Sequence, residues 1–583
     1  MTIALPVLIE TDLEATMDDG VVLRATVYRP AVEDAKYPVL LSRTPYGRDL
    51  GVNSAYLNPV TIAASGYVVI IQDCRGRFGS EGEFLPSVFE ERDGAQSVSW
   101  AAQLPYSDGR VGMFGRSYFA ETQWRAAQAN SPELAALALG VSAGSNANNG
   151  ALYRGGAFEL GSRFGWGHAS ISLSALFREH QQSPQELAQE LSTWEQLDEA
   201  FADGSVYNTL PLKSLAPQMS NFMNLHVLPS AGQHPDNEFC RLWDSATEQP
   251  VQLPTMHIGG WFDIFSPNTL DQYQRQLEAT KQVPELRPRL ILGPWSHTNL
   301  TGTFPDTSFG MGASANAVAS YGDLSAIHRA WFDAILKGDR EALEKIPPVL
   351  IFFMGENQWR SFEQLPQPEK KLDLFLGADG TLQNNPGADE SLSYIYDPKN
   401  PVPTAGGATM IPGAFPAGPA IQNQIEERED VLVFTSAPLE QDLTVFGELT
   451  AQLFASTSAV DTDFVVRLCK VSSDDTSTGI ADGIVRGSWR EACSEDGKFR
   501  PGIEPRLLNP GTTYQFSISL WATAYTFSAG DRIRVQVTSS SHPRWDRNLN
   551  TGKLAYESAE SAPAQQQIFT GAHLPSRISM QVL

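Results

Sequence analysis

The stretch Val111-Gly112-Met113-Phe114-Gly115-Arg116-Ser117-Tyr118-Phe119-Ala120 decides the fold. Its first half reads as a short buried strand, the following TQWRAAQA as a helix, and Gly115-Arg116-Ser117 as the tight turn between them. A serine on such a strand-to-helix turn is strained and exposed, and the helix N-terminus behind it favours negative charge, which suits a nucleophile. Small neighbours normally relieve the crowding, as in G-x-S-x-G, but here Phe119 takes the final glycine position. An ordinary turn serine fits the same short pattern, so the reading requires partners elsewhere in the chain.

Those partners follow in the order acid, then histidine. Gly259-Gly260-Trp261-Phe262-Asp263 closes one apolar strand with an acid, and Ile291-Leu292-Gly293-Pro294-Trp295-Ser296-His297 closes the next with a base. The interval between Asp263 and His297 fits one crossover helix and one strand, so both side chains reach the same carboxyl edge of a parallel sheet. Three residue types in the required order, each at a strand end, outweigh one motif. His257, on the strand leading to Asp263, and His234 read as structural hydrogen-bonders, and His328 reads as surface or packing on a helix. Asp73-Cys74-Arg75-Gly76 reads as a turn stabilised by an Asp73/Arg75 pair.

Outward from this centre, 583 residues exceed what one hydrophobic core usually supports, so two or three domains are expected. Residues 1–144 alternate apolar runs with helical patterns, and Val68 to Ile71 is a continuous β-branched run typical of a strand buried on both faces. Residues 145–240 change to helices and loops. There Ser183-Pro184-Gln185-Glu186 reads as N-cap, proline at N1 and capping-box glutamate, with Leu187, Leu191, Trp194 and Phe201 at helical spacing and a stop at Gly204. The α/β texture returns over 241–355, and 356–583 consists of short strands separated by Gly, Pro and Asp turns, predicting an antiparallel sandwich or jelly roll. The fold class is therefore α/β: an α/β-hydrolase core with an inserted helical cap and a C-terminal β-sandwich. The insertion explains the long interval from Ser117 to Asp263 as a cap over the site.

Hydrophobic residues at 42% and charged residues at 19% argue against a disordered chain. A net charge of −25 repels phosphate backbones, and no Lys/Arg cluster reverses it locally, which excludes nucleic acid as an expected partner. The start lacks a basic region followed by an apolar run, and no segment approaches ~20 uninterrupted apolar residues, so neither a signal peptide nor a membrane span is expected. Cys74, Cys240, Cys469 and Cys493 are scattered without metal or disulfide spacing, which points to a reduced, cytoplasmic setting. The acidic pairs Glu90-Glu91 and Asp461 to Asp463 lack the pattern of a calcium loop. No metal and no cofactor are expected.

DDGVVLRATVYRP, RTPYGRD, GYVVIIQDCRGRFGSEGEF, DGRVGMFGRSY, GGWFD, GPWSH, SAVDTDFVVRL and GDRIRVQVTSSSHPRWDRN run from residue 18 to about 550. Through them the chain resembles the cocaine esterase family of bacterial hydrolases, related to X-prolyl dipeptidyl aminopeptidases and α-amino acid ester hydrolases. The family pattern G-x-S-Y, with a small residue two positions later, is met by Ala120. The resemblance implies three domains, the last a jelly roll, and an oxyanion hole made by the Tyr46 hydroxyl and the Tyr118 backbone N–H. It also implies a substrate pocket lined by Trp166 and Phe265, with Met410 as a contact from the C-terminal domain. The activity it implies is a serine carboxylesterase acting on neutral, moderately hydrophobic or aromatic esters through an acyl-enzyme. Amide or X-prolyl cleavage and β-lactam acyl transfer stand as alternatives, with a catalytically dead carbohydrate-binding protein as a remote one. The expected partner is a small-molecule ester. The oligomeric state is open, with a homodimer considered.

Overall fold

A computed structural model of the chain describes residues 4–51, 56–144, 148, 150–235, 237 and 249–583. Cys240 and the expected boundaries at 145 and 240 lie outside the described residues. A ten-stranded sheet forms the first layer, in the spatial order Val7–Thr16, Val22–Pro30, Val68–Asp73, Tyr37–Thr44, Ser107–Arg116, Leu134–Gly140, Thr255–Phe262, Arg289–Ser296, Val349–Phe353, Gln358–Phe362. Neighbours from Val68–Asp73 through Val349–Phe353 pair parallel. Every residue of Val68–Asp73 is buried, as its β-branched run requires of a strand covered on both faces. The final strand Gln358–Phe362 pairs antiparallel with Val349–Phe353, so the sheet runs past the 355/356 boundary expected from sequence.

Between Leu134–Gly140 and Thr255–Phe262 the chain leaves the sheet. A short hairpin, Tyr153–Arg154 with Ala157–Phe158, leads into Leu160–Gly165, the π-wound Trp166–Ser172 and Leu173–Glu179. The helix Pro184–Ala202 follows, with Pro184 in its first turn and Asp203-Gly204 at its end. Ser183 stands at the N-cap, but its side chain makes no capping bond and Glu186 instead faces His180, so the expected capping box does not form. Exposure explains this: Glu186 competes with water and a neighbouring imidazole for little gain.

The C-terminal part holds two antiparallel sheets. One contains Leu443–Thr457, Tyr514–Phe527 and Arg577–Val582, and the other Leu432–Thr435, Asp463–Val471, Ser477–Arg486 and Arg532–Thr538. Their apolar faces share one core that includes Phe434, Leu449, Phe464, Leu468, Phe516 and Val535. A buried ionic cluster ties this part to the helical segment. Arg544 donates to Asp482 at 2.6 Å, Trp545 to Glu159 at 2.9 Å, and Arg154 to the Asp482 carbonyl at 3.2 Å. Charges with so little water must be paired, and the pairing fixes how the two parts meet. Phe158, Phe164 and Tyr207 of the helical segment share a core with Tyr118, Phe265 and Trp521, so all three parts converge around one point.

The expected Asp73/Arg75 pair does not form. Asp73 is instead paired with Arg48 and accepts the Arg48 backbone N–H at 2.7 Å, while Arg75 reaches Asp93 at 2.6 Å and Asp19 at 2.9 Å. Asp73 closes the strand Val68–Asp73 while Arg75 lies in the turn that follows, where Gly76 stands at φ 69°, so the two side chains leave the strand end separately and each finds its partner on another element.

Candidate active site

Ser117 sits at φ 58° and ψ −127°, between the strand Ser107–Arg116 and the helix Tyr118–Gln128. A non-glycine residue at such a φ is strained and is retained only where its surroundings over-determine it. Here the Ser117 N–H donates to Gly140 O at 2.8 Å, and its carbonyl accepts from Ala120 N at 2.8 Å and Glu121 N at 3.2 Å. Gly115 at φ 135° makes room for Phe119: a Cβ at Gly115 would stand 2.5 Å from the Phe119 Cβ. The large residue at the usual glycine position is thus accommodated by the glycine four residues earlier.

His297 follows the strand Arg289–Ser296, and Asp263 the neighbouring Thr255–Phe262. The His297 Nδ1 lies 2.8 Å from Asp263 Oδ2, and its Nε2 lies 2.9 Å from Ser117 Oγ. Asp263 is fully buried, and its other oxygen accepts the Phe265 N–H at 2.6 Å. An acceptor at Nδ1 places the imidazole proton there and leaves Nε2 free to accept from the serine. Phe265 packs edge-on against the His297 ring, 5.1 Å between centroids at 87°, and Arg116 donates to the His297 carbonyl at 3.1 Å.

Tyr46 lies beside the serine. Its hydroxyl oxygen accepts the Trp166 indole N–H at 3.0 Å, which leaves its own proton to donate. Burial pushes the Tyr46 hydroxyl up, against the lowering effect of its contacts with Trp166 and Ser117, so it stays protonated. Tyr118 is the first residue of its helix, where the backbone N–H has no intrahelical partner. Its side chain is fixed behind the site: the hydroxyl donates to Glu90 at 2.9 Å and accepts from Ser87 N at 2.9 Å, while Arg43 holds Glu90 at 2.8 Å.

A cavity of about 450 Å³, including its open mouth, has Ser117, Tyr46, Tyr118, Trp166, Phe265 and Met410 in its walls. Every residue singled out in the sequence for the site is therefore brought to one place. Sequence reading missed Glu121, Ala143, Ala151, Ser162, Arg163 and Ile264, which complete the lining. Glu121 was within reach of it, because residues four apart share a helix face. Arg163 carries no such signal, since only the path of the helical segment brings it here.

The remaining histidines stand elsewhere. His257 is fully buried and within 3.0 Å of Thr255, and burial lowers it to about 3. His328 is fully buried, which settles its reading for packing over surface, bonded to Leu324 O at 2.7 Å, and burial lowers it to about 4. His234 lies against Trp489. Among the described residues no group of three or more His, Cys, Asp or Glu side chains is arranged to hold a metal, and no helix is long and apolar enough to cross a membrane.

A serine hydrolase of the α/β-hydrolase type is what this fold and this hydrogen-bonded line of side chains define. The family model for X-Pro dipeptidyl-peptidase (S15 family) matches residues 19–299, and that for the X-Pro dipeptidyl-peptidase C-terminal non-catalytic domain matches residues 341–579. Cocaine esterase of Rhodococcus sp. (strain MB1 Bresler) is 33% identical over 604 aligned positions, spanning 99% of this chain and 98% of its own. The chain belongs to the cocaine esterase family of serine hydrolases, as its motifs predicted. An aminopeptidase from a marine sediment Thaumarchaeota archaeon has TM-score 0.75 at 22% identity, over 99% of this chain and 97% of its own. An α-amino acid ester hydrolase has TM-score 0.71 at 22% identity with the same coverage. These two likenesses establish a common fold.

Proposed function

We propose that the chain is a carboxylesterase hydrolysing neutral, moderately hydrophobic or aromatic esters through an acyl-enzyme on Ser117. The observation that carries this reading is the line Asp263–His297–Ser117, at 2.8 and 2.9 Å, opening onto a cavity walled largely by aromatic and aliphatic side chains. His297 takes the Ser117 proton as Oγ attacks the acyl carbonyl, and Asp263 holds the imidazole in the accepting tautomer. The oxyanion receives the Tyr46 hydroxyl and the Tyr118 N–H. His297 then protonates the departing alcohol, and a water activated in the same way releases the acid.

The cavity lining includes the nucleophile and both oxyanion donors but not His297. Since the alcohol must leave on the imidazole side to receive its proton, the cavity takes the acyl group. A second groove includes Ser296, Thr298 and Asn299, the residues flanking His297, and shares Trp166 and Met410 with the cavity. It suits the alcohol. In this reading residues 1–144 and 241–362 form the core, 145–240 a helical cap, and 363–583 a jelly roll that contributes Met410. The free, buried thiols of Cys74, Cys469 and Cys493 support a reducing, cytoplasmic setting.

The test is a matched panel of p-nitrophenyl phenylacetate, the corresponding p-nitroanilide and an X-Pro p-nitroanilide, assayed with one preparation. The esterase reading requires the ester to have the highest kcat/KM. Faster cleavage of either anilide overturns it.

A further inference from the structure

Glu121 belongs to no step of the reaction above, yet it is buried in the wall of the acyl cavity. It stands one helical turn after the nucleophile, its backbone N–H bonded to Ser117 O at 3.2 Å, so its side chain rises on the same helix face as Ser117. The residue is only 6% exposed, and its Oε2 has no hydrogen-bond partner among the described residues. Such an atom costs free energy unless something pairs with it. Glu121 shares the cavity wall with Ser117, Tyr46 and Tyr118.

The surroundings of Glu121 are mixed. Burial pushes its carboxyl up, opposed by Arg125, Ser87 and Arg163, while Glu90 pushes it further up. Arg125 is the nearest cation by contact, but its Nε stands 3.8 Å away, too far for a hydrogen bond. Arg163 shares the cavity wall, stacked 4.7 Å over the Trp166 ring and donating to His226 O at 3.2 Å. Charged or neutral, the carboxyl keeps acceptor capacity toward the cavity.

We propose that Glu121 forms a subsite in the acyl cavity for acyl groups that present a hydrogen-bond donor, an O–H or an N–H, to its open oxygen. This rests on the esterase reading and extends its substrate class from neutral acyl groups to ones that carry a hydroxyl or an ammonium donor. A plain hydrocarbon acyl group leaves Oε2 buried and unpaired, whereas a donor-bearing one satisfies it. Such asymmetry is how a site built to bond a polar group discriminates against the analogue lacking it.

The test compares p-nitrophenyl phenylacetate with p-nitrophenyl 4-hydroxyphenylacetate and 4-(aminomethyl)phenylacetate. Each result is a ratio of kcat/KM values within one preparation, so the fraction of folded enzyme cancels. The wild type is expected to favour the hydroxyl ester about fivefold and the ammonium ester about tenfold or more, as neutral and charge-assisted hydrogen bonds differ. Glu121→Leu should bring both ratios near one. Glu121→Gln, which keeps an acceptor oxygen but no charge, should retain the hydroxyl preference and lose the ammonium preference. Preference for either donor that vanishes in Glu121→Leu supports the subsite and identifies the donor it takes. Wild-type ratios near one for both donors, or ratios that survive Glu121→Leu, overturn it while leaving ester turnover, and so the esterase reading, intact. Absence of turnover of all three esters overturns the esterase reading itself, and the subsite with it.

Discussion

The Trp166 indole donates to the Tyr46 hydroxyl at 3.0 Å, so a residue of the helical segment sets the direction in which a core residue can give its proton. The hydroxyl has one proton, and with its oxygen already accepting from Trp166 that proton is available to the oxyanion.

In the proposed mechanism Tyr46→Phe removes a donor that matters most in the transition state. It is expected to lower kcat on the order of 10²-fold or more, with little change in KM. Trp166→Phe keeps an aromatic wall but frees the Tyr46 hydroxyl to rotate, and should cost about tenfold in kcat. Steady-state kinetics on p-nitrophenyl phenylacetate checks both. Near-normal kcat in folded Tyr46→Phe removes Tyr46 from the oxyanion hole.

Gly115 and Phe119 form a coupled pair at the nucleophile turn. Gly115→Ala adds a Cβ 2.5 Å from the Phe119 Cβ at φ 135°, a conformation costly to any residue with a side chain. The variant should lose about 1–3 kcal/mol of stability and more than tenfold in kcat, because the displaced turn carries Ser117. Adding Phe119→Gly should recover part of the stability by removing the clash but not the strain. Thermal denaturation of the wild type and the two variants decides this, and equal melting temperatures for wild type and Gly115→Ala contradict it.

His257, His328 and His542 are buried, with burial lowering them to about 3, about 4 and about 3. Their folded values lie below the ordinary value of about 6.5, so the unfolded chain takes up protons first as the pH falls. Their contribution is present above pH 6.5 and is lost from there down toward pH 4 for His328 and toward pH 3 for His257 and His542. Stability should fall by about 1.4 kcal/mol per pH unit for each histidine within that window. Urea denaturation at pH 7.5, 6 and 5 measures the slope, and a midpoint flat over this range contradicts the assignment.

Much of this was legible in the sequence because the α/β core is built from local signals. Val68–Asp73 announces itself by β-branching, and Ser117, Asp263 and His297 each end a readable strand in the required order. Tyr46, Tyr118, Trp166, Phe265 and Met410 came from resemblance, not periodicity, and all five line the cavity. What sequence did not disclose depends on long-range placement. The Asp73/Arg75 neighbours part to Arg48 and Asp93, and the strand Gln358–Phe362 extends the core sheet past the expected boundary because ladder pairing, not composition, decides where it belongs.

The central claim is that Ser117 is the nucleophile, and the turnover of Ser117→Ala tests it most directly. The variant loses only the hydroxyl, so its circular dichroism and melting temperature should match the wild type while kcat/KM on p-nitrophenyl phenylacetate falls by about 10⁴-fold or more, since the three residues act as a unit. Retention of even a tenth of the wild-type rate in the folded variant contradicts the account.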